Sequence, residues 1–239
     1  MARFGGKMRD ASRLSTRRMA LAEERGDALL VAIAGIDEAS DRALAGQTRE
    51  ALSVALGALQ KARTPETLLR AALVCAWAGE SDRAEGYLHE YEGMPDVAPT
   101  SDPDLRPAVI AVITMARGFP ESAIEAVAPL RPYELGWRFN FVPAYIRGLA
   151  LLRLHRPAEA IAEFDRIVTH RGAQPESLVY ALAWLHLGRA KAAAGDPKAA
   201  RSAYEQFLRY WKDADADLPV LAEARAELAS LVGPSAVNP

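Results

Sequence analysis

The sequence predicts an all-α protein: a right-handed solenoid of about five helix–turn–helix repeats, opened by a leading helix and finished by a C-terminal capping helix. Three observations predict it. Alanine and leucine are abundant and β-branched residues sparse, which favours helix over strand. A turn residue is followed five positions later by alanine at Gly6–Ala11, Gly46–Ala51, Gly79–Ala84, Gly118–Ala123, His155–Ala160 and Gly195–Ala200. Successive turns lie 40, 33, 39, 37 and 40 residues apart, close to the length of one helical hairpin.

The elements can be justified in order. Helices are expected at roughly 7–22, 27–45, 48–62, 65–78, 81–92, 104–117, 120–129, 139–154, 157–170, 175–194, 197–212 and 218–231. Pro120, Pro157 and Pro197 each stand two residues after a turn, where a first helical residue needs no N–H donor. Asp196 is the expected N-cap before Pro197, with Ser81 and Thr48 at the corresponding places. Gly93 to Arg106, with prolines at 95, 99 and 103, reads as an extended surface loop, and Pro129 to Trp137 as a second irregular stretch. The tail from Gly233 reads as frayed.

The clearest hairpin runs through Trp184, Leu187, Gly188, Gly195, Ala200 and Tyr204. This spacing resembles the tetratricopeptide (TPR) repeat. Small residues at Gly188 and Ala200 would let two helices cross closely, while Tyr204 and Phe164, four residues after their alanines, would fill the layer between hairpins. The whole chain, 1–239, is then one domain. It divides into an incomplete leading repeat (1–25), divergent repeats (26–130), the best-conforming repeats (131–212) and a capping helix (213–232). The helix after Gly6 is a second helix without its first, so Met1 to Ala22 is expected to pack on a partner or to follow further chain.

The run from Pro132 to Leu228 contains PYELG, PAYIRGLALL, AEAIAEFDRIVTHRG and LGRAKAAAGDPKAARSAYEQFL. It resembles the C-terminal TPR region of acidobacterial Ser/Thr protein kinases and winged-helix regulators. That resemblance implies a regulatory interaction module attached to an effector. The effector's own chemistry is missing: there is no Gly-rich phosphate loop, and His170-Arg171 is followed by Gly172 where a kinase loop needs aspartate.

The remaining candidates for chemistry are weak. His89, His155, His170 and His186 show no metal-binding spacing, and Cys75 is the only cysteine, so no intrachain disulfide forms. That cysteine usage is compatible with the cytoplasm, the expected location. Asp213, Asp215 and Asp217 resemble the start of a calcium loop but lack its glycine, so they read as loop solvation and a cap for the final helix. No catalytic, cofactor-binding or metal-binding residue is expected, and no cofactor. No run of apolar residues is long enough to span a membrane.

What remains is binding. TPR proteins bind peptides or partner helices in a concave groove lined by first-helix side chains. The candidate contacts are Tyr145, Leu149, Leu152 and Arg153 in one hairpin, and Leu185 and Arg189 in the next. These slots are mostly apolar, which excludes the lysine, asparagine and arginine clamp for a chaperone tail. A protein or peptide partner is expected, with no small-molecule substrate. The net charge of −2 hides an asymmetry: residues 1–25 carry seven basic and three acidic side chains. The alternative is therefore a nucleic-acid-associated regulator that uses this basic helix, although nucleic acid is not the expected partner.

Overall fold

The computed structural model describes residues 2–95, 104–136 and 138–231. Among these there are twelve α-helices and no strand: α1 (Met8–Glu24), α2 (Ala28–Leu44), α3 (Thr48–Lys61), α4 (Pro65–Trp77), α5 (Ser81–Glu92), α6 (Arg106–Ala116), α7 (Pro120–Val127), α8 (Val142–Arg153), α9 (Pro157–Val168), α10 (Leu178–Ala193), α11 (Pro197–Tyr210) and α12 (Pro219–Ser230). Most of the loop expected at 93–106, and the tail from 232, lie outside the described residues.

The turns explain the boundaries. All six expected turn residues have positive φ: Gly6, Gly46, Gly79, Gly118, His155 and Gly195. After α2 the Gly46 N–H donates to the Ala43 carbonyl at 3.1 Å and the Gln47 N–H to the Arg42 carbonyl at 2.8 Å. This pair of bonds closes a helix end, and it requires the left-handed conformation that glycine adopts most easily. His155 takes the same role at φ 54°, which costs a residue with a Cβ about 1 kcal/mol. Each of α7, α9 and α11 then begins on its proline, and Asp196 accepts from the Ala199 N–H at 2.9 Å. Ser81 and Thr48 do not cap. They are the first helical residues, and the N-cap positions fall on Glu80 and Gln47, which make no side-chain cap bond.

The alanines five residues on are buried, five of them completely. Gly148 and Gly188 lie under the rings of Phe164 and Tyr204, where a Cβ would stand 2.6 and 3.0 Å from the ring carbons. Each aromatic therefore seals its own hairpin. Phe164 also reaches the next one, its ring 5.6 Å from that of His186.

The pairs α2–α3, α4–α5, α6–α7, α8–α9 and α10–α11 pack as antiparallel hairpins, in a solenoid-like stack. The first helix of each pair packs on the first helix of the next, so α2, α4, α6, α8 and α10 form an inner tier. That tier comes round on itself, because α10 also touches α2.

The two ends of the stack meet. Phe4 and Met8 are buried in one hydrophobic cluster with Trp211, Leu218 and Leu221. The Asp215 N–H donates to the Gly6 carbonyl at 3.1 Å, and Asp215 Oδ2 accepts from the Arg9 N–H at 2.9 Å. Lys7 pairs with Asp213 at 3.5 Å, and Arg9 with Asp217 at 2.9 Å. The three aspartates therefore bind the start of α1, where the helix dipole favours negative charge. The cap expected for the final helix is not formed: α12 has Leu218 at its N-cap, without a side-chain bond. Nor does α12 simply cover a free end, since Pro219 Cβ stands 2.9 Å from where a Cβ on Gly46 would be.

Candidate functional site

The residues expected to line a concave groove do not form an open one. Tyr145 and Leu185 are buried, and Leu149 and Leu152 are partly buried against the same core. Tyr145 packs edge-on against Phe164 and His186. Burial, reinforced by the charge of Arg189, holds His186 well below its ordinary pKa, so it is a neutral packing residue. Arg153 donates to the Met115 carbonyl. Arg189 is held by Glu227 at 2.7 Å and Glu223 at 2.9 Å, which ties α10 to α12. The closure of the stack uses this face for packing.

Open space lies instead between α2, α4 and the segments that lead into α6 and α8. A cavity of about 120 Å³ is walled by Asp37, Ser40 and Asp41 of α2, Arg70 of α4, and Arg3, Arg138 and Asn140 from connecting segments. Its apolar floor includes Ile36, Leu73 and Phe139. Arg70 pairs with Asp37 at 3.1 Å and with Glu66 at 2.9 Å, while Arg3 pairs with Asp41 at 3.2 Å.

Two properties of this wall are unusual. Burial raises the Asp41 carboxyl to about 7 against the pull of Arg3, and the nearby charges of Asp37 and Glu38 push the same way. Asn140 and Phe141 both have positive φ, 48° and 67°. Asparagine tolerates that region, but for phenylalanine it costs about 1–2 kcal/mol. The strain is held by packing, since Phe141 is fully buried, and by its N–H donating to the Glu134 carbonyl at 3.1 Å. The Glu134 carboxylate is itself buried, accepting from Arg147 at 2.6 Å and from Arg166. Beside it, Asn140 Oδ1 is buried and has no hydrogen-bond partner among the described residues.

None of these wall residues stood out in the sequence. The available signal was three acids, Asp37, Glu38 and Asp41, after an apolar first half of α2, with Asp37 and Asp41 one turn apart. Like charges at that spacing destabilise a helix unless something else uses them.

A second surface lies on the outside of α1. Leu14 is 63% exposed and Leu21 46%, and they fall on one stripe with Arg17, Arg18 and Arg25. Arg18 reaches Asp37 at 3.5 Å, whereas Arg17 and Arg25 make no ion pair among the described residues. Leu29 at the start of α2 is exposed as well. Expectation and structure divide here: the start of the leading segment packs on the chain's own C-terminal end, and the middle of α1 stays uncovered.

Cys75 is buried, and burial pushes its thiol up to about 11, away from nucleophilic chemistry. Among the described residues no group of three or more His, Cys, Asp or Glu is placed to hold a metal ion, and no helix is long and apolar enough to cross a membrane. No protein-family model matches this chain, and no curated protein is significantly similar to it.

Proposed function

We propose that this chain is a non-catalytic, TPR-type interaction module with a regulatory role, and that it docks an acidic amphipathic helix of a partner protein along α1. The observation that carries the reading is the stripe of Leu14 and Leu21 flanked by Arg17, Arg18 and Arg25. Exposed leucines one heptad apart match the apolar face of a helix, and the arginines select glutamates or aspartates beside it. The groove expected from the sequence is a weaker candidate, because Tyr145 and Leu185 are buried and Arg189 is already paired. The resemblance to regions that accompany bacterial kinases and winged-helix regulators supports a regulatory role.

A nucleic-acid reading draws on the same arginines. A phosphate backbone would satisfy Arg17 and Arg25 but leave both leucines in water, so it ranks second.

Photo-crosslinking decides between them. A photoreactive residue at Leu14, introduced in the native host, is expected to yield a discrete protein adduct whose crosslinked peptide is acidic and amphipathic. The adduct should disappear when Leu21→Asp is added. Crosslinks to nucleic acid, to a second copy of the chain, or to nothing would overturn the proposal.

A further inference from the structure

The leading segment sits on the C-terminal hairpin as a peptide sits in a receptor. Its own shape is local: the Gly6 N–H donates to the Arg3 carbonyl at 3.1 Å and the Lys7 N–H to the Ala2 carbonyl at 3.0 Å. The surface beneath it is also self-supported. Tyr180 Oη donates to the Val168 carbonyl at 3.2 Å, and the Trp211 ring packs on Phe207 with centroids 4.7 Å apart. The body of α1 keeps its own hold on α2, through Ser15 Oγ to the Ala34 carbonyl at 3.2 Å and Ser12 Oγ to Glu38 at 2.6 Å. Residues 2–9 can therefore lift while both sides keep their form. Lifting uncovers the rings of Tyr180 and Tyr210 and the Trp211 indole, which form an apolar ledge.

Each contact across this joint reads a different property of the segment. The Phe4 ring lies 4.8 Å from that of Tyr210 and 6.0 Å from that of Tyr180, with the Arg171 guanidinium 5.4 Å from its centre. Trp211 Nε1 and the Asp215 N–H donate to the Phe4 and Gly6 carbonyls. Lys7 and Arg9 meet Asp213 and Asp217. A Cβ on Gly6 would stand 2.7 Å from the Ala214 Cβ, so that position admits only glycine.

We propose that this joint is a peptide-binding site held shut in cis: it takes a basic segment of the pattern Phe-x-Gly-Lys-x-Arg from a partner protein, and the chain's own residues 2–9 compete for it. The ledge selects the phenylalanine, the close approach of Ala214 the glycine, and the aspartates the two cations. The site is free only in the fraction of molecules whose segment has lifted, and affinity for a second peptide falls by that fraction. None of these residues belongs to the stripe of Leu14 and Leu21, so the inference stands apart from docking on α1.

The test is fluorescence anisotropy of a labelled peptide with the sequence of residues 2–12, titrated with the full chain as wild type, Gly6→Ala and Phe4→Ala. Gly6→Ala unseats the cis segment by collision and Phe4→Ala by removing its anchor, so failure of one variant to fold leaves the other. Both are expected to bind the peptide with a Kd below roughly 100 μM, at least tenfold tighter than wild type. The same substitutions made in the peptide should each weaken binding at least tenfold. Adding Asp213→Asn and Asp217→Asn to the Phe4→Ala chain should weaken it about two- to fivefold, as exposed ion pairs do. Four results would overturn the proposal: no saturation by either variant, equal affinity in wild type and variants, undiminished affinity of the Gly6→Ala peptide, or a variant that dimerises in place of taking the peptide.

Discussion

The indole Nε1 of Trp211 donates to the Phe4 carbonyl at 3.0 Å, across 207 residues of sequence. Around this bond Phe4 packs edge-on against Tyr210, and the Arg171 guanidinium lies 5.4 Å from both ring centres. Closing so long a loop costs only a few kcal/mol more than closing a short one. Burying Phe4, Met8 and Trp211 returns about 1.5–3 kcal/mol for each, enough to hold the ends together.

Two glycines with one backbone conformation measure that closure. Gly6 and Gly26 both have φ 68°. A Cβ on Gly6 would stand 2.7 Å from the Ala214 Cβ and 2.8 Å from Trp211, whereas one on Gly26 would meet nothing within 4 Å. Gly26→Ala should cost about 1–2 kcal/mol, the left-handed penalty alone. Gly6→Ala should exceed it by roughly 1–3 kcal/mol in urea denaturation, because overpacking is added. Equal losses would mean that the ends separate without cost.

The buried ion network behind Asn140 should be costly to break from one side. The Arg147 side chain is 3% exposed and that of Glu134 0%. Arg147→Ala removes one of two arginines from a carboxylate that water cannot reach, at an expected cost of about 3–5 kcal/mol. In the double variant Arg147→Met, Glu134→Gln, chemical denaturation should recover part of that loss, since the buried charge of Glu134 is gone while Glu163 still lacks Arg147.

Asp41 should make stability depend on pH in the direction opposite to an ordinary paired carboxylate. Its folded pKa, about 7, lies above the unfolded value of 3.8. Between those values the folded state binds more protons, so this group's contribution declines as pH rises from about 4 to 7 and is flat above. His186, held neutral, acts oppositely below about 6.5. Subtracting the curve of Asp41→Asn isolates the aspartate. Between pH 5.5 and 8 the wild type should lose about 1–2 kcal/mol relative to the variant, read from thermal or urea midpoints.

The crossing point of α8 and α9 admits no methyl group. Gly148→Ala places a Cβ 2.6 Å from the Phe164 ring and should destabilise by about 1–3 kcal/mol. Gly57→Ala in α3 meets nothing within 4 Å and should stabilise by about 0.5–1 kcal/mol. Calorimetric midpoints moving in opposite directions would verify both.

Local features were legible in the sequence because neighbouring residues cause them. A glycine at φ 88° followed by Gln47 bonding back to Arg42, a proline opening α11 and an alanine under each crossing need only short-range geometry. Hairpins, turn positions and the helical class follow from such spacings by themselves. The tertiary structure alone decided what the stack does with its ends and its inner face. Nothing local relates Asp215 to the start of α1, Trp211 to Phe4, or Arg3 to Asp41, since each pair is joined by burial and charge between segments remote in the chain. Tyr145, expected to face a groove, is packed instead against Trp77, Phe164 and His186, and Leu185 is buried, while the cavity beside α2 and the stripe on α1 stay open.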